Sequence, residues 1–309
     1  ALIGSLAMIT YLDRVCFGTA APAIAKELGL EGVKDLKWAF TAFTLAYGLF
    51  EIPAGWLGDR WGPRGTMIRI VLAWSIFTAL TGMTGLEFGG TVLIGLTGLV
   101  VIRFLFGAGE AGAYPNVTRV IHDWFPAYRW ERIQGVVWMS GRIAGGLTPL
   151  IWALLVAGTN WTEPLVSWRG AFLVFGSVGL IWCLIFALFF RNRPDEHPGC
   201  NAAEIALIGS REPRAERHPA VPWGALLRSR SLWALCLMYS LVNYGWIFNI
   251  SYFPGYVDER FDIPDQALWG AIYKGAPLWV GAIGCILGGL AVDGATKVLG
   301  DRRRARGRD

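Results

Sequence analysis

The sequence predicts an all-α membrane protein, and three observations carry that prediction. Hydrophobic residues make up 54% of the 309 positions and charged residues only 17%, with a mean hydropathy of +0.44. The apolar positions fall into long runs separated by short polar breaks, the pattern that spans of about 20 residues require and a soluble core does not. Lysine and arginine then concentrate in every second break, as expected of cytoplasmic loops in a chain threading a bilayer.

The runs are read, in order, as eight spans at 2–25, 38–58, 66–86, 92–124, 132–157, 168–190, 231–257 and 267–292. The first stops at Lys26 and Glu27, and the second gives way to a charged, glycine-bearing turn that ends at Gly65. Between the sixth and seventh lies the longest polar break, 191–229. Asn192, Pro194, Asp195, His197, Pro198 and Gly199 mark it as irregular, and Ala202 to Ile208 reads as a short surface helix. This break divides the chain into a six-helix transmembrane bundle at 1–190, a cytoplasmic linker at 191–229 and the start of a second bundle at 230–309. Sixteen tryptophans, among them Trp38, Trp61, Trp124, Trp161 and Trp168 near span ends, fit an interfacial aromatic belt.

Charge orients the chain. The breaks after even-numbered spans hold Arg60, Arg64 and Arg69, then Arg129 and Arg132, then seven arginines from Arg191 to Arg230, then six basic residues from Lys297 to Arg308. The opposite breaks hold Lys26, Lys34, Lys37, Arg169 and Arg260, partly balanced by acids such as Glu27, Glu31, Asp35, Asp258 and Asp262. The even breaks are therefore cytoplasmic. The net charge of +5 follows from topology, and no nucleic-acid-binding motif accompanies it. The run Arg302 to Arg308 reads as a retained cytoplasmic loop rather than a lipid-binding patch. The five cysteines show no metal-binding spacing and read as small apolar residues, Cys200 in the linker excepted.

Two features argue against an enzyme. The three histidines, His122, His197 and His218, fall on the cytoplasmic side without a nucleophile elbow or an H-E-x-x-H motif. Gly107 to Gly112 matches G-x-G-x-x-G by letter but lies in mid-helix, not between a strand and a helix. Its small residues, like Gly141-x-x-x-Gly145 and Gly284-x-x-x-Gly288, instead permit close helix packing.

Ionisable groups inside the spans carry the functional reading, because each costs several kcal/mol at the bilayer centre unless it meets a cavity or a partner. The first span holds Tyr11, Asp13 and Arg14, with Tyr11 and Arg14 on one face. The second holds Tyr47 and Glu51. The fourth holds Arg103 and Glu110, seven apart and on nearly one face, with Tyr114 a turn beyond. The fifth holds Arg142, and the seventh holds Asn243, Tyr244 and Asn249. Structural readings stand beside these. Asp13 and Arg14 can neutralise neighbours, Arg103 and Glu110 can be a structural pair, Glu51 can meet a loop arginine, and the seventh-span residues can make interhelical hydrogen bonds.

The turn Gly55-Trp56-Leu57-Gly58-Asp59-Arg60-Trp61-Gly62-Pro63-Arg64-Gly65 resembles the cytoplasmic signature of the major facilitator superfamily, G-x-x-x-D-R-x-G-x-R. The resemblance casts Gly55, Asp59, Arg60, Gly62 and Arg64 as a cytoplasmic gate. An ordinary positive turn would explain the arginines but not Asp59 four residues after Gly55. Gly289 to Gly294 repeats the Gly-x-x-x-Asp spacing, as duplication in a twelve-helix carrier would leave it. By this resemblance the chain has the major facilitator fold, an N-terminal six-helix bundle plus helices seven and eight of a second one, as a fragment without its start and its last four helices.

Tyr11-Leu12-Asp13-Arg14, Tyr47 ahead of Ile52-Pro53-Ala54-Gly55-Trp56, the stretch from Arg103 to Asn116, and Trp124-Phe125-Pro126 are similar to the anion:cation symporter family, whose bacterial members are mostly proton-coupled importers of sugar acids. The resemblance implies that Arg14 binds the substrate carboxylate, that Tyr11 and Tyr47 line the site, that Asp13 and Glu110 take protons, and that Arg103 organises the carboxylate of the fourth helix. Galactonate-type members carry Gln where Arg142 and Glu51 stand. A second cavity arginine, Arg142, then favours a more acidic ligand, with Asn249 as a further contact. The expectation is a secondary active transporter importing a hexuronate-, glucarate- or galactonate-type anion by proton symport, multi-pass in the inner (plasma) membrane. It needs no cofactor besides the proton, no metal and no nucleic acid, and works as a monomer. The alternatives are a transporter-like nutrient sensor and a carrier of another carboxylate such as an aromatic acid.

Overall fold

The computed structural model describes residues 1–89, 91–158, 163–208, 222–261 and 268–299, apart from the side chains at positions 127, 259, 289, 290 and 292–299. Trp161, His218, Asp262, the Asp293 side chain of the repeated motif and the arginine run 302–308 lie outside the described residues.

Long apolar runs become long helices because, without water, only intrahelical hydrogen bonds satisfy the backbone. The first is α1 (Leu2–Glu27). It is followed by α2 (Lys37–Trp61) and α3 (Pro63–Thr81). The junction between these two is sharper than a loop. The gate motif is helical up to Trp61, Gly62 turns the chain at φ +82°, and Pro63 opens α3 at a position where its missing N–H costs nothing.

The last helix runs to Leu299 rather than 292, and the break between the third and fourth spans is wider than the sequence reading gave it. The third helix stops at Thr81 instead of running to 86, and the fourth begins at Leu96 instead of 92. The intervening residues turn at Gly85 and Gly89, both at positive φ, and form a short antiparallel hairpin of β1 (Glu87–Phe88) and β2 (Thr91–Val92). The fourth span is two helices, α4 (Leu96–Glu110) and α5 (Ala113–Trp124). Pro115 lacks an N–H and its ring crowds the carbonyl of Ala111, so the break falls where the proline dictates.

α6 (Trp130–Trp152) passes into a π-helical turn, Ala153–Ala157, and α7 (Trp168–Phe189) is capped by Ser167, which accepts from the Gly170 N–H at 3.2 Å. Short helices α8 (Ala202–Ile208) and α9 (Trp223–Arg228) occupy the polar break. The seventh span is α10 (Arg230–Ile247), a π-helical turn (Phe248–Tyr252) and α11 (Phe253–Phe261), and the eighth is α12 (Leu268–Leu299). Among the described residues, five helical segments are long and apolar enough to cross a membrane: Leu96–Trp124, Trp130–Ala157, Trp168–Phe189, Arg230–Asp258 and Leu268–Gly288. α1 is as long, at 26 residues, but carries Asp13 and Arg14 in its middle.

α1 is central, packed on α6 and α7; α2 lies on α4, α3 on α7, and α6 on α12. α7 shows how a membrane helix divides its surface. Phe172, Phe175, Gly176, Gly179, Trp182 and Phe186 are buried, whereas Leu173, Leu180, Ile181, Leu184 and Leu188 on the other face are exposed, as lipid contact requires. Small residues let the helices approach. A Cβ on Gly176 would lie 2.8 Å from the Ser75 carbonyl oxygen, and one on Gly18 would lie 2.9 Å from that of Ile250. Gly107, Gly112, Gly141 and Gly145 do the same work, but Gly284 and Gly288 face open space.

Two apolar clusters stack along the bundle. One gathers Met67, Trp74, Phe106, Val117, Val120, Trp182 and Phe186. The other gathers Phe17, Ile24, Phe40, Leu99, Phe172 and Phe175. The buried ionisable groups are carried by the same helices: Asp13 and Arg14 stand in the middle of α1, Arg103 in the middle of α4 and Glu110 at its end.

Candidate functional site

Arg14 is half-way along α1 and Glu110 ends α4, half-way along the Leu96–Trp124 span, so both lie near mid-depth. Their side chains meet. Arg14 Nε donates to Glu110 Oε1 at 2.7 Å, with 11% and 1% of the two side chains exposed. α2 completes the mount, since the Arg14 guanidinium lies 4.6 Å from the Tyr47 ring centre and 5.5 Å from that of Phe43. Stacking on aromatic faces leaves the in-plane N–H edge available. Among the described residues, Arg14 Nη2 and Glu110 Oε2 are buried without a hydrogen-bond partner, and the Tyr114 side chain, held flat on Trp138 at 4.7 Å, brings its hydroxyl towards Tyr11.

The pairing differs from the one the sequence offered. Arg103 and Glu110 share a face of α4, yet among the described residues Arg103 makes no ion pair. Its guanidinium is boxed by Phe17 at 4.1 Å, Phe106 at 4.7 Å and Phe43 at 4.9 Å, within electrostatic range of both Asp13 and Glu110. Asp13 is 3% exposed, and among the described residues neither carboxyl oxygen has a hydrogen-bond partner. Asp13 and Arg14, adjacent on one helix, point about 100° apart, and Arg14 pairs with Glu110.

Tyr11 is buried, packed on Gly141 and Gly145 of α6, and set edge-to-face on Trp246 of α10 at 5.7 Å. Arg142 reaches the same place from α6. Its guanidinium lies 4.6 Å from the Trp246 ring centre and abuts Gly281 of α12, so it sits at the seam between α6 and the helices α10 and α12. Tyr11 is within electrostatic range of both Arg14 and Arg142. Asn249, in the π-helical turn, donates to the Gly245 carbonyl at 2.8 Å, and Asn243 likewise serves its own helix, so the structure does not bring either to the arginines. Glu51 is half-buried one turn beyond Tyr47, within electrostatic range of Arg14, and among the described residues it makes no ion pair. With Trp56, Asp59, Pro115 and Trp223 it lines a groove of about 700 Å³ at the cytoplasmic end.

The gate motif uses partners that the sequence reading passed over. Asp59 pairs with Arg119 of α5, which also meets Asp123 at 3.4 Å. The Arg64 N–H donates to Asn192 Oδ1 at 2.9 Å, and its Nη2 to the Ala187 carbonyl at 2.5 Å. Gly55 lies against Pro115, and Gly58 against the Asn116 amide, where any side chain would collide. Arg60 is exposed and stacks on Trp56 at 5.5 Å, outside this lock. Arg119 and Asp123, spaced i,i+4 at the end of a span, were the available sequence signal.

The family model for the Major Facilitator Superfamily matches residues 3–306. The chain belongs to the major facilitator superfamily. It is 36% identical over 308 residues to the probable sulfoacetate transporter of Cupriavidus necator, covering 97% of this chain and 65% of that protein. It is 31% identical over 296 residues to a probable L-galactonate transporter of Escherichia coli, covering 94% and 60%. An inward-facing, occupied structure of a bacterial homologue of the lysosomal transporter Spinster has the same fold, with a TM-score of 0.67 at 23% identity, covering 94% of this chain and 60% of that one. The chain thus spans about two thirds or less of the length of the relatives it matches. This facilitator is accordingly a multi-pass protein of the inner membrane, and its relatives are transporters rather than enzymes.

Proposed function

We propose that the complete protein is a secondary active transporter that imports a small organic anion of the sugar-acid or sulfo-carboxylic-acid type by proton symport and alternating access. The observation that carries this reading is the buried Arg14–Glu110 pair, in which one edge of the guanidinium is engaged and Nη2 is left without a partner. An incoming carboxylate can take a two-pronged, charge-assisted hold on Arg14 and displace Glu110 from it. A carboxylate deprived of its counter-charge in a dry site costs several kcal/mol unless it binds a proton, so cargo entry drives protonation of Glu110. Release of the proton towards the cytoplasm returns Glu110 to Arg14 and expels the anion. Asp13, with no partner of its own, is the accessory proton site, and Arg103 supplies positive field to both acids from its aromatic box. Tyr11 and Tyr47 wall the site on either side of Arg14.

Transport needs two halves that rock about the site. The chain is proposed to divide at 191–229 into a six-helix bundle and the opening helices of a second bundle, and the whole transporter to act as a monomer without a cofactor. The relatives named for sulfoacetate and L-galactonate support an organic anion as cargo. Uptake of labelled galactonate and sulfoacetate by the complete protein in proteoliposomes tests the reading. Accumulation above the external concentration under an inward proton gradient, abolished by a protonophore, is expected. Binding without uptake would instead favour a sensor.

A further inference from the structure

We propose that the cargo is a dianion, and that Arg142 selects it by taking the second anionic group while Arg14 takes the first. The inference rests on the anion-transport reading and deepens it. Arg142 stands in mid-helix with its Nε buried and unpartnered, and among the described residues no carboxylate lies within ion-pair distance of it. Such a charge in a bilayer calls for a counter-ion. Its guanidinium is held from behind by the Trp246 ring at 4.6 Å, which leaves the hydrogen-bonding edge free. The mount depends on a glycine, since a Cβ on Gly281 would collide with the Nη1 end of the guanidinium.

Placement gives the second argument. Tyr11 packs on Gly141, the residue before Arg142, and shares a face of α1 with Arg14, so the arginines flank one buried tyrosine from two helices. A single small molecule with an anionic group at each end can engage both. Charge gives the third. Among the mid-span groups of the first bundle, Arg14, Arg103 and Arg142 stand against Asp13 and Glu110, which leaves one positive charge in excess with both acids ionised and two once one acid has taken a proton; half-buried Glu51, within electrostatic range of Arg14, lies in the cytoplasmic groove outside that count. A monoanion arriving with a proton would leave one of those charges without compensation, and a dianion leaves none. Because Arg142 reaches Trp246 and Gly281, the second anionic group would also be read at the seam between α6 and the helices α10 and α12, where the carrier must close.

The test uses the complete protein in detergent at pH 7, titrated with sulfoacetate and galactarate as dianions and with galactonate as the monoanion, for wild type, Arg142→Gln and Arg142→Lys. Wild type is expected to bind the dianions at least tenfold more tightly than galactonate. Arg142→Gln should lose tenfold or more on the dianions and less than threefold on galactonate, with Arg142→Lys keeping most of the preference. Equal losses on all three ligands would make Arg142 a packing residue and overturn the proposal. Should Arg142→Gln fail to fold, the wild-type ratio decides, and parity between the ligand classes overturns it. Wild-type binding of galactonate alone refutes the dianion while sparing the transport reading, whereas binding of none of the three defeats both.

Discussion

Arg14→Lys keeps the charge at the centre of the site and removes its shape, so it separates the two. In the structure the guanidinium does three things at once: Nε holds Glu110 at 2.7 Å, the plane lies 4.6 Å from Tyr47, and Nη2 remains available. A lysine ammonium can hold Glu110 or a substrate carboxylate, but it cannot offer a flat fork to one while resting on an aromatic face. The change removes one charge-assisted hydrogen bond to the cargo, about 1.5–3 kcal/mol. It also removes part of a cation–π contact, about 0.5–1 kcal/mol. Together these amount to roughly 2–4 kcal/mol, or about 30- to 700-fold in Kd at 1.4 kcal/mol per factor of ten. The buried pair with Glu110 survives as an ion pair, so the melting temperature should fall by only a few degrees. The assay is calorimetric titration of the complete protein with galactonate or sulfoacetate beside a thermal melt. An affinity within threefold of wild type would mean that Arg14 does not grip the anion, and the mechanism built on it would fail.

Three further outcomes follow from other parts of the molecule. Gly18→Val should cost about 1–3 kcal/mol and slow uptake, because its Cβ would press on the Ile250 and Ser251 carbonyl oxygens where α1 meets the seventh span; an unchanged melt and rate would show that this contact is not tight. Arg119→Gln should cost less than about 1 kcal/mol of stability, since its partner Asp59 is 40% exposed, while changing the accessibility of the cytoplasmic side up to about fivefold, read by hydrogen exchange over 59–64. Cys200 should react with an impermeant maleimide only after cells are opened. Partial burial and the Glu204 carboxylate push its thiol above the usual range, so labelling should quicken as pH rises, and labelling of intact cells would invert the topology.

The spans were legible because hydropathy alone separates lipid-facing runs from polar breaks, and the Gly-x-x-x-Asp-Arg signature pointed to the superfamily before any coordinate. What escaped was local or long-range. The hairpin at 87–92 depends on two positive-φ glycines inside an otherwise apolar stretch, and the break at Gly112 on Pro115, both readable by chemistry but masked by the run's hydropathy. The partners of Arg14 and Arg103 depend on distances between helices. A helical wheel places Arg103 and Glu110 on one face, yet it cannot see that Phe17 and Phe43 from two other helices box Arg103 while α1 delivers Arg14 to Glu110. Trp246 was missed for the same reason, as an aromatic in an apolar span gives no sign that it carries Tyr11 on one side and Arg142 on another. The hydrogen bond of Asn249 to its own helix was equally hidden, because the sequence does not show which polar residues in a span are satisfied by their own backbone.

In the proposed cycle Glu110 alternates between Arg14 and a proton as the anion enters and leaves. Glu110→Gln fixes it near the protonated form, since the amide oxygen can still accept from Arg14 but the charge is gone. The decisive measurement is counterflow beside pH-gradient-driven accumulation of the same labelled anion in proteoliposomes of the complete protein. Counterflow is predicted to persist near the wild-type rate while accumulation is lost, because exchange needs only binding and rocking. Accumulation of the anion against its gradient by Glu110→Gln would contradict the account and move the coupled proton to Asp13 or to another residue.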